Sequence, residues 1–278
     1  VAMSDMQKDW TNFNKFEEII NDGIISYFIG DDSLFLSDVL DLVLIPGDLV
    51  ENGLDHSLWG DHFFEPSEPL FSHIPFYPVL GNHENNTSHY FSYFNLPYNG
   101  TPGYAEHWWW ADFSNVRVIG LDSNWDYQLT VQLDWLEGVL DESCNDSNID
   151  FVFAQLHHPH RSELWVPGET SFTGDVIALL EQFTSNCMKP SIHFFGHTHG
   201  YSRGQSINHK HAMVNVATAG GAIDYWGEWL QADYPEYLVS QDEWGFVVLE
   251  VEAGSDPQFT LKRISRGDDY VPMDNVLR

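Results

Sequence analysis

Basic residues are scarce. Eleven lysines and arginines stand against 42 aspartates and glutamates in 278 residues, a formal net charge of −31. A surface of that sign repels nucleic-acid polymers and anionic membranes at long range, so neither is an expected partner, and at low salt it repels itself. Solubility accounts for such acidity; adaptation to a salty habitat is the sharper reading, and it expects stability to rise with salt. Cysteine is nearly absent. Cys144 and Cys187 alone exclude a disulfide-dense scaffold and leave room for one bridge. Each lies a few residues ahead of an apolar strand-like run, which would bring both to one edge of a parallel sheet; two unrelated thiols is the other reading. No run approaches the roughly 20 apolar residues of a membrane span. The opening "VAMSDMQKDW" reads as strand and then polar loop, not as a targeting peptide, so a leader is expected to be removed or never present.

What is present suffices for a large core, with 43% hydrophobic and 15% aromatic residues. Residues 1–278 are expected to form one α/β domain. Apolar strand candidates fall at 1–4, 41–48, 74–84, 115–123, 149–158 and 191–197, and amphipathic helical patterns at 14–24, 128–143 and 174–185. Beyond residue 213 the pattern is strands only. Runs apolar throughout predict strands covered on both faces.

Polar residues gather where these strands end. They are Asp5 and Gln7; Asp48 after Gly47; Asn82, His83 and Glu84 after Gly81; His157 and His158 before Pro159; and His197 and His199 after Gly196. In open α/β sheets, sites form beyond the carboxyl ends of strands, so these groups should converge. Carboxylates, carboxamides and imidazoles without thiolate suit borderline divalent ions such as Mn, Fe or Zn. Asp5, Gln7, Asp48, Asn82, His157, His197 and His199 are too many for one tetrahedral ion and suit two. His73, His89, His209 and His211, lacking such context, read as core histidines.

The stretches "SDMQ", "PGDLVENG", "LGNHENN", "AQLHHPH" and "FGHTHGYSR" occur in an order that resembles the calcineurin-like metallophosphoesterase superfamily, nearest to its purple acid phosphatase branch. The resemblance spans Asp5 to Arg203. It implies a four-layer αββα sandwich of two mixed sheets flanked by helices. It also implies a dinuclear site, with one divalent ion held by Asp5, Gln7, Asp48 and His199 and the other by Asp48, Asn82, His157 and His197. The implied chemistry is hydrolysis of a small phosphate ester, a monoester in preference, by a hydroxide held between the ions. His83 would serve as proton donor or charge stabiliser beside the phosphate, and Glu84 would orient a neighbouring imidazole. A phosphodiesterase or nucleotide pyrophosphatase on the same site, or a non-catalytic metal-binding module, are the alternatives.

The chain departs from the family pattern twice. Gln7 stands where a histidine is usual, replacing an imidazole with a carboxamide oxygen and favouring a harder ion such as Mn²⁺. Glu51 occupies the position of the branch's iron-binding tyrosine, so a purple ferric site is not expected. Lys8, Arg161 and Arg203 lie close to the motifs; Arg161 is the preferred phosphate contact, with Arg203 and His160 beside it, although all could merely neutralise carboxylates. The rings of residues 107–113 are expected in a strand. Trp165, Trp226 and Trp229 are rim candidates, able to stack on a base or an aryl group. The lone cysteine pair leans towards a secreted or periplasmic location.

Overall fold

The computed structural model describes residues 1–8, 10, 12–30, 35–266 and 272–273. The expected domain boundary at 278 lies outside them. The strands are β1 (Val43–Ile45), β2 (Phe76–Pro78), β3 (Trp109–Phe113), β4 (Val116–Gly120), β5 (Phe151–Gln155) and β6 (Ser191–Phe195). They continue as β7 (Tyr201–Gln205), β8 (Ala212–Val216), β9 (Tyr237–Gln241), β10 (Trp244–Glu252), β11 (Gln258–Arg266) and β12 (Pro272–Met273).

They form two sheets. The larger runs β3-β4-β5-β6-β8-β7-β9, with β4, β5, β6 and β8 mutually parallel and β7 antiparallel to both its neighbours. In the smaller, β2 pairs parallel with β1, and β10, β11 and β12 are antiparallel. The opening residues join these pieces: Ala2 bridges Leu44 in parallel and Val247 in antiparallel. Ser4 N–H then crosses to the larger sheet, donating to Val216 O at 3.1 Å.

Alternation along β5 explains the layering. Phe151 and Phe153 point into a core shared with Leu44, Ile45, Phe246 and Val248 of the smaller sheet, whereas Val152 and Ala154 point the other way, among helix residues. Those helices are Thr130–Asn145, which buries Leu136, Val139 and Leu140, and Ser171–Cys187, which buries Val176, Ile177, Leu180 and Phe183. Spacings of three and four put each set on one helical face. Full burial of a leucine such as Leu180 contributes about 1.5–3 kcal/mol. Helical residues 15–28 and 56–71 bring Ile20, Ile24, Trp59 and Phe63 to the smaller sheet's core. The result is the mixed α/β sandwich flanked by helices that the sequence predicts.

Boundaries differ in understandable ways. The second long helix starts at Ser171, not 174, because Thr170 Oγ1 accepts the Phe172 N–H, and it ends where Met188 turns left-handed at φ 59°. Strands expected at 41–48 and 74–84 shrink to three residues each, since their second halves are the loops that carry Asp48 and Asn82. The stretch 1–4 is extended but pairs only through Ala2. β7, with a serine, an arginine, a glycine and a glutamine, and β9, whose apolar run is only three residues, escape sequence reading. His73 and His209 are exposed and not core; His209 sits in the β7–β8 turn at φ 56°. His89 is half-buried against Tyr93, and His211 is buried as expected.

Cys144 and Cys187 are bridged, with Cα atoms 5.4 Å apart. The bridge ties the last turns of the two long helices. Among the described residues no helix is long and apolar enough to cross a membrane.

Candidate metal centre

The carboxyl ends of β1, β2, β4, β5, β6 and β8, together with the opening segment, deliver the polar residues to one place. The backbone there is bent for the purpose. Asp5 (φ 61°), Asp48 (φ 54°) and His197 (φ 71°) all adopt the left-handed conformation, which costs free energy in a non-glycine residue and survives only where surroundings enforce it. His197 N–H donates to both Asp5 oxygens (3.1 and 3.2 Å), and Met6 N–H donates to Asp48 O (2.8 Å). Two glycines make room. A Cβ on Gly81 would lie 2.1 Å from Asp48 Oδ1, and one on Gly196 would lie 2.4 Å from Asp5 Oδ2.

Among the described residues, Asp48, His157 and His197 form a group whose ligand atoms lie within 4.8 Å of one another. His157 Nδ1 donates to Pro46 O at 2.9 Å, which turns its Nε2 towards Asp48 Oδ2 (3.1 Å) and Asn82 Oδ1 (3.0 Å). Three atoms that carry lone pairs therefore converge on one point. A second convergence lies beside it. His199 Nδ1 donates to Ala222 O (2.6 Å), and its Nε2 lies 3.2 Å from Asp5 Oδ1 and 3.0 Å from Gln7 Nε2. Gln7 Oε1 is buried there without a hydrogen-bond partner. A buried carboxamide oxygen left unsatisfied, next to imidazole and carboxylate, is what a cation would relieve. The donor set fits divalent metal.

Electrostatics agree. Burial opposes charge on every group, but the Asp48 carboxylate lifts the His157 imidazole to about 10, and Asp5 lifts His199 to about 9. Reciprocally, His157 holds the buried Asp48 carboxyl below the usual carboxylate range. Burial and the neighbouring His157 push His197 well below an ordinary histidine. Protons on His157 and His199 occupy directions that a metal ion would take.

The remaining predicted residues take varied positions. His83 is half-buried at the edge: its Nδ1 meets Glu51 O (2.6 Å) and its Nε2 lies 3.8 Å from Asp48 Oδ2. Burial works against its charge, but Asp48 and the Glu51 carbonyl raise its pKa on balance. Glu84 is wholly buried and accepts from Gly81, Asp48 and Leu49 N–H at 2.7–2.9 Å, so it shapes the Asp48 turn and reaches no imidazole. Burial and the Asp48 charge push its carboxyl up to about 7. Glu51, at the tyrosine position, touches His83 by its carbonyl. Arg161 is held by Glu169 (3.2 Å) over the Tyr234 ring, and His160 packs on Gly174, both on the wall of a separate cavity of about 250 Å³. Arg203 sits in β7, paired with Val214 and Val239, and Lys8 pairs with Asp61.

Sequence reading misses two contributors. Asp224 accepts the His199 N–H at 2.8 Å; it follows β8, so the strand-end rule used for the ligands would have found it. Ser123 Oγ accepts both the His157 and His158 N–H groups (3.1 and 2.9 Å), fixing the turn after β5. Trp165, a rim candidate from the sequence, lays its ring 5.0 Å from that of His197.

The family model described as calcineurin-like phosphoesterase matches residues 1–201, which include every residue of both convergences except Ala222. The chain belongs to this family. Among solved structures, this family member is similar to the purple acid phosphatase PPD1 from yellow lupin (Lupinus luteus) seeds, with a TM-score of 0.71 at 18% identity, over 99% of this chain and 52% of that one. It therefore spans about half the length of the lupin protein. GAP50, the anchor in the inner membrane complex of Plasmodium, aligns at TM-score 0.64 and 16% identity over 99% of this chain and 87% of its own. PhoD aligns at 0.56 and 9%, over 99% and 70%. At these identities the likeness is one of fold. No curated protein sequence matches the chain.

Proposed function

We propose that the protein is a metal-dependent phosphoric ester hydrolase with two divalent ions, acting on phosphomonoesters in preference to diesters. The observation that carries this reading is the convergence of Asp48 Oδ2, Asn82 Oδ1 and His157 Nε2, with Gln7 Oε1 left unsatisfied in the adjoining group. Asp5, Gln7, Asp48 and His199 would hold one ion, and Asp48, Asn82, His157 and His197 the other. Manganese suits the oxygen-rich first set. Divalent ions bound there would acidify a water and offset charge on the phosphoryl oxygens. The likeness to a purple acid phosphatase supports the monoester preference.

The chain's own residues supply the rest. Pro46 O and Ala222 O fix the tautomers of His157 and His199, so that each presents Nε2 inward. His83, anchored through Nδ1 and favoured in its charged form, keeps an Nε2 proton to give to a departing oxygen. The Cys144–Cys187 bridge supports an oxidising compartment, secreted or periplasmic.

The test is hydrolysis of an aryl phosphate and of its bis-aryl diester by metal-stripped protein, with Mn²⁺ or Zn²⁺ added back. Metal-dependent turnover, faster on the monoester, is the expected result. Faster diester turnover would make it a phosphodiesterase, and hydrolysis of neither with the ions bound would leave a metal-binding module.

A further inference from the structure

Exposed tryptophan is unevenly distributed. Trp59, Trp108, Trp109 and Trp244 are buried, whereas Trp10, Trp125, Trp226 and Trp229 are 83%, 85%, 48% and 51% exposed. A single exposed indole needs no explanation. Two of the four, Trp226 and Trp229, lie on the loop whose start contacts His199. Trp10 is three residues beyond Gln7. Trp125 follows Asn124, whose side chain donates to Gly81 O at 3.2 Å. Trp226 and Trp229 belong to the loop after β8, which is pinned at both ends: Ala222 O and Asp224 hold His199, while Leu230 O accepts the Val166 N–H at 3.0 Å.

That second anchor sets the loop beside Trp165, the half-buried indole whose ring faces His197 at 5.0 Å. The packing is tight behind it. A Cβ on Gly168 would lie 2.8 Å from the Trp165 ring and 2.9 Å from His197 Cδ2, so residue 168 and His197 leave the indole no room to turn away.

We propose that Trp165, with Trp226 and Trp229 on the neighbouring loop, forms the leaving-group subsite, and that the substrate is a phosphoester whose leaving group carries a planar aromatic ring. The inference rests on the phosphoesterase reading and adds a substrate class to it. An indole fixed against the imidazole of His197 presents a flat apolar face beside the proposed metal centre. A lipid surface is disfavoured, because Trp165 lies inside the mouth and the protein's charge of −31 opposes anionic headgroups.

Non-hydrolysable phosphonates test this apart from turnover. Phenylphosphonate and methylphosphonate are titrated into Mn²⁺-loaded wild type, Trp165→Ala and Trp165→Phe, with metal content measured on each. Wild type should bind the phenyl compound about tenfold more tightly, Trp165→Ala should erase the difference with its metal retained, and Trp165→Phe should restore part of it. A nucleoside 5′-phosphonate then separates the sources of the ring: tighter binding than phenylphosphonate assigns a nucleobase, and weaker binding a simple aryl group. Equal binding of the phenyl and methyl compounds by wild type, or an equal loss of both in Trp165→Ala, overturns the subsite while leaving phosphoester hydrolysis intact. Binding of neither by metal-loaded wild type overturns both readings.

Discussion

His193 and His197 lie four residues apart, one inside β6 and one just past its end, yet they belong to histidine clusters of opposite character. At the carboxyl end, His157 and His199 face Asp48 and Asp5, and those carboxylates lift both imidazoles above neutrality. At the other end of the strand, His193 in β6 and His211 just ahead of β8 stack 5.0 Å apart with no acid beside them among the described residues. A directed chain satisfies them: His193 Nδ1–H donates to His211 Nε2 (2.7 Å), His211 Nδ1–H to Ser191 Oγ (2.7 Å), and Ser191 Oγ–H to Leu180 O (3.3 Å). It closes only when His211 is neutral, since its Nε2 must accept, so the two rings cannot be charged together. Burial, with His160 nearby, pushes His193 down to about 3, and burial together with His193 takes His211 well below its ordinary value. Burial is similar in the two clusters. The neighbouring carboxylate decides whether a buried imidazole is favoured in its charged form, as at His157 and His199; His197, crowded by His157, stays on the neutral side.

The largest expected effect comes from breaking that distinction. Asp48→Asn should leave His157 in surroundings like those of His193, so its titration in metal-free protein, followed by NMR, should fall from about 10 to below an ordinary histidine. Metal content should drop, and kcat/KM should fall for all substrates by more than the ~10²- to 10⁴-fold that a proton donor supplies. An unchanged His157 titration would show that the carboxylate is not the deciding neighbour.

His83 sharpens the comparison, being a histidine raised by Asp48 but placed at the edge. His83→Ala should keep its metal and lose about 10²- to 10⁴-fold in kcat on alkyl phosphates, with a much smaller loss on nitrophenyl phosphates, whose leaving group needs no proton. Equal losses on both would make its role electrostatic.

The smallest effect lies within the sheet. A group whose folded pKa is depressed below its unfolded value contributes stability that is present above the unfolded pKa, ~6.5, and lost as the pH falls towards the folded value. For His193 that window runs from about 6.5 down to about 3. Urea unfolding between pH 7 and 4 should therefore show a slope of up to about 1.4 kcal/mol per pH unit from this residue. His193→Gln, which keeps a donor for His211, should be less stable at pH 7 but flatter across that range. Parallel pH profiles for the two proteins would remove His193 as a source of acid sensitivity.

The proposed ligands were legible because each sits just past a strand-like run, three of the runs closed by glycine, an arrangement that the chain displays in order. The layering was legible for a similar reason, since β5 and β6 are apolar on both faces. What stayed hidden depended on partners far along the chain or on irregular loops. Arg161 reads as a free phosphate fork, but Glu169, within the same loop, occupies it. Glu84 reads as an imidazole partner, but its oxygens are spent on three backbone N–H groups. β7 and β9 pair through backbone groups that polar side chains do not advertise. Cys144 and Cys187 left bridge and free thiols both open until the helix ends were placed.

The opening segment, which bridges β1 and β10 and crosses to β8, means that the proposed ligands come from both halves of the sandwich. Asp5, Asp48 and Asn82 leave the smaller sheet; His157, His197 and His199 leave the larger. Ions gripping both sets would act as rivets through the whole assembly, and their affinity would be inseparable from its folding. A free ion concentration one hundred times the dissociation constant would add about 2.7 kcal/mol to the stability of the sandwich per independent site. A chelator would then loosen the seam between the sheets, far beyond the loops it strips.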